Sequence, residues 1–184
     1  MPQRKTDVIF VLLGSSLSPA EQASELRRWQ YAPKIAFVSM GRASNGEALW
    51  DMSAIAKYQE LLKLRGISNL DVIQREFTID VQINPEATSL FLQEQGIKPE
   101  RIILVSQPVC QRQMCATFKK HWPSATYFNC PGDEPLIMNR EMFALLLNEV
   151  HKLDLYGREG SIVPQDIPSP VREAFKFLDK YLSK

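Results

Sequence analysis

Four apolar runs along the chain each give way to small or polar residues and then to a helix start. Val8–Leu13 runs into Gly14-Ser15-Ser16, and Ile35–Val38 into Ser39-Met40-Gly41. Val72–Ile73 meets Gln74-Arg75-Glu76, and Ile102–Val105 meets Ser106-Gln107-Pro108. Short β-branched runs alternating with helical stretches mark βαβ units around a buried parallel sheet. Ligands in such sheets bind beyond the carboxyl ends of the strands, where loops feed helix N-termini.

The first strand is predicted over Asp7–Leu13. Ser18-Pro19-Ala20-Glu21 then reads as a capping box with proline at the first helical position. That helix runs to about Trp29, with Ala23, Leu26 and Trp29 at helical spacing. Strand two covers Lys34–Val38. Ser44-Asn45-Gly46-Glu47 is a second capping box, opening a helix with Leu49, Met52, Ile55, Ala56 and Leu62 on one face, closed by Gly66. A short third strand lies near Asp71–Gln74, and Asn84-Pro85 starts a helix with Ala87, Leu90 and Phe91 inward, ended by Gly96. Strand four is Arg101–Val105. Pro108 opens helix four, which runs to about Trp122, and strand five follows at Thr126–Phe128. A long helix spans 138–154 with Met142, Leu145, Leu146, Glu149 and Leu153 in register. A Gly- and Pro-rich stretch from Tyr156 to Pro170 leads to a last amphipathic helix over Val171–Leu182.

Right-handed crossovers between successive βα units predict an α/β, Rossmann-like fold: a five-stranded parallel sheet in the order 3-2-1-4-5 with helices on both faces. No domain boundary has the composition of a flexible linker. The C-terminal helices over 138–184 should therefore pack back on the core at 7–130, making residues 1–184 one domain.

Composition narrows the function. At 184 residues and 45% apolar content the chain can bury a real core. A formal charge of +1 argues against duplex nucleic acid or an anionic membrane as partner. No apolar run approaches the length of a membrane span. Met1–Asp7 is polar and Val8–Leu13 is too short for a signal-peptide core, so a cytoplasmic protein is expected. Cys110, Cys115 and Cys130 form no CxxC pair and read as reduced thiols. His121 and His151 lie in helices without metal-ligand spacing, so no metal site is expected.

The loops after the strands carry the candidate chemistry. Gly14, Ser15 and Ser16 combine backbone N–H groups, two hydroxyls and a helix N-terminus, which suits an anion; a tight turn needs the same small residues. Gly41 and Arg42 follow strand two. Glu47 either completes a cap or accepts hydrogen bonds from a ligand. Glu76 and Asp80 follow strand three and either act as base and orienting group or form the turn, with Asn84 capping the next helix. Ser106 and Gln107 complete the rim. Arg112 is either a solvated charge or a clamp on phosphate or carboxylate. Cys110 sits at a helix N-terminus, a place that favours thiolate, yet no base is near it in sequence.

The pattern "DVIFVLLGSS", "IAFVSMGRASNGEALWDM", Glu76 with "TIDVQIN", then "ILVSQPVCQRQMCATF" resembles the YdcF-like proteins, also called domain of unknown function 218, which include the SanA and ElyC envelope proteins. The resemblance covers about residues 7–130. The tail "EVHKLDLYGREGSI" with "IPSPVREAFKFL" is similar to an extension found in soluble members. It implies a Rossmann-like sheet with signature polar residues at Gly14, Gly41, Glu47, Glu76, Asp80, Asn84 and Arg112. The chain departs from the family pattern at Ser15 (a second glycine there), Val81 (a threonine), Cys110 (a histidine) and Gln113 (often arginine). Where that histidine and threonine do chemistry, this chain would bind its ligand without turning it over.

The expected function is binding of a small anionic or nucleotide-like ligand at the strand ends, with transferase or hydrolase activity open. S-adenosylmethionine or another adenosine-containing ligand follows by analogy of fold. The competing readings are a hydrolase of phosphate- or glycan-linked substrates with Glu76 or Asp80 as base, and a non-enzymatic interaction protein.

Overall fold

The computed structural model describes residues 6–12, 16–40, 52–77, 85–135 and 137–182. Five strands form one sheet: β1 (Val8–Leu12), β2 (Ile35–Met40), β3 (Val72–Phe77), β4 (Arg101–Val105) and β5 (Thr126–Asn129). Their order is β3-β2-β1-β4-β5, and every neighbouring pair is parallel. The helices are α1 (Ser18–Arg28), α2 (Met52–Leu64), α3 (Pro85–Glu94), α4 (Gln111–His121), α5 (Arg140–Arg158) and α6 (Ser169–Leu182).

Strand β1 is buried along its whole length, which explains its unbroken run of apolar residues. Alternate side chains enter opposite cores. Ile9 and Val11 pack with Ala20, Ala23 and Leu26 of α1 and with Tyr58 and Leu62 of α2. Val8, Phe10 and Leu12 pack with Phe91 and Leu92 of α3, with Cys115 and Phe118 of α4, and with Trp122 just past its end. A third cluster joins Ala116 of α4 to Leu153, Ile162 and Ile167, so the C-terminal extension is seated on the outer side of α4. The order reverses between β1 and β4, whose crossovers leave toward opposite faces, and open α/β sheets form their ligand crevice above the carboxyl ends at such a reversal.

Several local expectations are corrected. The Ser18–Glu21 capping box does not form: Ser18 is the first helical residue of α1, Leu17 is the N-cap and makes no side-chain capping bond. Glu21 pairs instead with Arg65, 3.1 Å away beyond α2. Trp29 and Leu90 are 67% and 59% exposed, and Ala56 and Leu145 are exposed as well. Helical spacing placed these near an apolar stripe, but Thr88, Phe91, Leu92 and Tyr58 fill the inward positions. Strand β3 runs to Phe77, because Gln74, Arg75 and Glu76 continue the pairing with β2; Glu76 thus lies in a strand opposite Ser39 and not in the loop after it. Pro108 begins a turn, and α4 itself starts at Gln111. Helix α5 continues to Arg158, past the predicted linker start at Tyr156. Gly66 and Gly96 end α2 and α3 with φ of +77° and +75°, the left-handed turn that glycine adopts without strain. The predicted box at Ser44–Glu47 lies outside the described residues, as does Leu49.

Candidate functional site

The crevice between β1 and β4 is bounded by the start of α1, the β4–α4 turn and the segment after β5. Of the predicted site residues, Gly14, Ser15, Gly41, Arg42, Glu47, Asp80 and Asn84 lie outside the described residues. Ser16, Ser106, Gln107 and Arg112 are described, and Glu76 is placed by its backbone on β3.

Ser16 acts first on its own chain. Its carbonyl accepts the Tyr58 hydroxyl at 2.5 Å, which ties the loop to α2. Its hydroxyl oxygen accepts the Ser18 amide at 3.3 Å. Pro19 has no amide, and the Ala20 and Glu21 amides both donate to the Leu17 carbonyl. The first-turn amides of α1 from Ser18 to Glu21 are therefore already used. What α1 still directs into the crevice is a side chain: the Ser18 hydroxyl donates to Glu134 Oε2 at 3.4 Å. Since that proton is committed, the 3.0 Å contact between the two serine hydroxyls is completed by Ser16 as donor.

Ser106 is a structural joint. Its exposure is 2%, and both its amide and its hydroxyl lie against Gln111 Oε1, at 3.1 and 2.8 Å. Gln111 in turn donates to the Leu104 carbonyl and to Asn129 Oδ1. One buried amide side chain thus locks the ends of β4 and β5 to the start of α4. Gln107 projects outward from that joint, and its Nε2 donates to Glu134 Oε2 at 3.3 Å.

Glu134 is therefore the meeting point of two loops. It is delivered by an extension of β5: the Cys130 and Gly132 amides donate to the carbonyls of Leu104 and Ser106. Gly132 presses so closely on α1 that a Cβ there would lie 2.5 Å from Ser18 Oγ and 2.7 Å from the Ser18 carbonyl carbon. In sequence, Pro131-Gly132 reads only as the stop that ends strand five. Nothing in it paired Glu134 with positions 116 and 27 residues earlier.

Cys110 stands at the N-cap of α4 without making a side-chain capping bond. A helix N-terminus lowers a thiol pKa, but burial and then the Glu149 carboxylate push this one up to about 11. Glu149 is 4% exposed; its Oε1 holds the Lys152 ammonium at 2.8 Å, while Oε2 is buried without a hydrogen-bond partner. Arg112 turns away from the crevice: its Nε donates to Gln165 Oε1 at 3.1 Å and an Nη to the Asp166 carbonyl at 2.6 Å. It clamps the C-terminal segment while remaining exposed to solvent. His121 closes the far end of α4 on the same segment through the Ser161 carbonyl, 2.8 Å away. Among the described residues no group of His, Cys, Asp and Glu gathers as a metal set.

A concavity of about 790 Å³ lies at the opposite, amino ends of β1–β3, between Asp7, Lys34, Phe91 and Lys98. Two of its charged groups are engaged within the chain: Asp7 accepts the amides of Glu100 and Arg101, and Lys34 donates to the Leu70 carbonyl. Parallel sheets also place their sites at the other end, so the β1/β4 crevice is the candidate.

No family model matches the chain. It is similar to an uncharacterised protein of Streptomyces coelicolor, 25% identical over 183 residues that cover 92% of this chain and 80% of the relative. That likeness carries no activity with it. Among the described residues, no helix is long and apolar enough to cross a membrane.

Proposed function

We propose that the β1/β4 crevice binds a small anionic or nucleotide-like ligand. The observation that carries this reading is the convergence of donors from α1 and from the β4–α4 turn, Ser18 Oγ and Gln107 Nε2, on one point at the sheet's switch point. Donors converging where two crossovers diverge are how open α/β sheets hold small polar ligands. A nucleotide-like molecule, S-adenosylmethionine included, has both the oxyanion that such donors take and the hydroxyls that Glu134 can accept. Membership of the YdcF-like group and a cytoplasmic setting belong to the same reading.

Binding is favoured over thiol catalysis. A Cys110 thiol pushed up to about 11 is neutral at physiological pH, and a neutral thiol is a poor nucleophile. Native mass spectrometry of gently purified protein tests the proposal, followed by titration with adenine nucleotides, S-adenosylmethionine and phosphoesters. A retained or saturably bound mass of that class is expected. Absence of binding by every one of these at millimolar concentration overturns it.

A further inference from the structure

We propose that Ser18 Oγ and Gln107 Nε2 form an oxyanion seat occupied by the chain's own Glu134, and that a ligand's carboxylate or phosphoryl oxygen binds there by displacing that side chain. This rests on the reading of the crevice as a ligand site and names its chemistry and an internal competitor. Three observations support it. Glu134 Oε2 lies 3.4 Å from the Ser18 hydroxyl and 3.3 Å from the Gln107 amide, so a single carboxylate oxygen already receives one donor from each wall. The main-chain amides of α1 from Ser18 to Glu21 are spent within the helix start, so what α1 offers an oxyanion here is the Ser18 side chain. The serine pair makes a relay, Ser16 to Ser18 to Glu134, in which each hydrogen bond polarises the next and strengthens the terminal donor.

A negative ligand and Glu134 cannot share that point, because like charges at contact distance repel. The side chain must swing out, and the binding strength of any oxyanion is reduced by what Glu134 gives up. Displacement is feasible because Glu134 is half-buried and is followed by exposed Pro135, while the backbone behind it stays fixed through Gly132 and Ser106. Once displaced, the carboxylate stands beside the seat, where it accepts hydrogen bonds from hydroxyls or amines on the rest of the ligand.

The test is calorimetric titration at constant ionic strength with two probes, inorganic pyrophosphate for phosphoryl chemistry and succinate for carboxylate chemistry. Glu134→Gln keeps the shape and removes the charge; Glu134→Ala removes the side chain, and thermal melts confirm that each variant is folded. Either variant is expected to bind at least one probe about fivefold more tightly or better than wild type, a typical size for coupling between competing groups. The preferred probe identifies the chemistry. Adding Gln107→Ala is expected to abolish the gain. If both Glu134 variants bind the probes as weakly as wild type, or more weakly, the seat is wrong, while retention of a nucleotide by wild type still upholds the broader reading. If no variant binds a probe and wild type retains no nucleotide, both fall.

Discussion

Substituting Gly132 by alanine drives a methyl group into the backbone of α1. The new Cβ would stand 2.5 Å from Ser18 Oγ, 2.7 Å from the Ser18 carbonyl carbon and 2.9 Å from the Pro19 nitrogen. The hydroxyl can rotate away; the two backbone atoms cannot, since they begin a helix anchored by Ala20 and Ala23 in the core. The segment after β5 must therefore retreat by roughly 0.8 Å to reach ordinary contact. That movement strains the Gly132 amide bond to the Ser106 carbonyl, 2.9 Å long, and withdraws Glu134 from Ser18. Overpacking of this kind costs about 1–3 kcal/mol, and a weakened hydrogen bond adds about 0.5–1.5 kcal/mol. Urea denaturation of Gly132→Ala should show a loss of about 2–3 kcal/mol, with a melting temperature lower by about 4–12 °C for a chain of this size. Gly157→Ala is the matched control. Its Cβ would meet Pro164 Cα at an ordinary 3.5 Å inside α5, so it should stabilise by about 0.5–1 kcal/mol. A Gly132→Ala protein within 0.5 kcal/mol of wild type would refute the close-approach argument.

Four other outcomes follow from the same geometry. Gln111→Leu strands the buried Ser106 amide, while the Ser106 hydroxyl keeps the Gln107 carbonyl and exposed Asn129 turns to water, and should cost about 1–3 kcal/mol in urea denaturation. Iodoacetamide should modify Cys110 at a rate still climbing with pH at 9.5, because the thiol is pushed up to about 11; Glu149→Gln removes the largest opposing charge and should speed the reaction at pH 8 by a few-fold or more. For stability the sign is fixed: the unfolded thiol ionises near pH 9 and the folded one near 11, so that stability falls as pH rises between them, and pH-dependent melts of wild type against Cys110→Ser should resolve it. Arg112→Ala should speed proteolysis between residues 159 and 168 while leaving ligand affinity unchanged, whereas an affinity loss would return Arg112 to the crevice.

The sheet could be read from the sequence because its information is local. Val8–Leu12 and Ile102–Val105 are buried on both faces, so each announces itself as an apolar run, and crossover handedness then sets the order. Glu76 was misplaced because β3 carries polar residues at its end, and only pairing with β2 keeps them in the strand. The site was less legible, since its contacts join distant residues. Ser18 looked like a cap and proved to be a donor to Glu134; Arg112 read as a solvated charge or a ligand clamp, and its bonds to Gln165 and Asp166 were in neither reading. Spacing along a chain identifies which helix end a residue occupies, but not which distant loop returns to meet it.

Helix α4 is moored along its length: at the front by Gln111, on the flank by Arg112, and at the rear by His121, with the Val163 amide bonded to the Ala116 carbonyl between them. Its amides should be among the slowest in the molecule to exchange with deuterated solvent. The wall of the crevice that carries Gln107 is thus stiff. Adjustment to ligands of different size then falls to side chains of the short run from Pro131 to Pro135, which carries two acids, Asp133 and Glu134. A family of such proteins would tune what it binds by editing five residues after the last strand, and would leave the helix that presents them with a partner untouched.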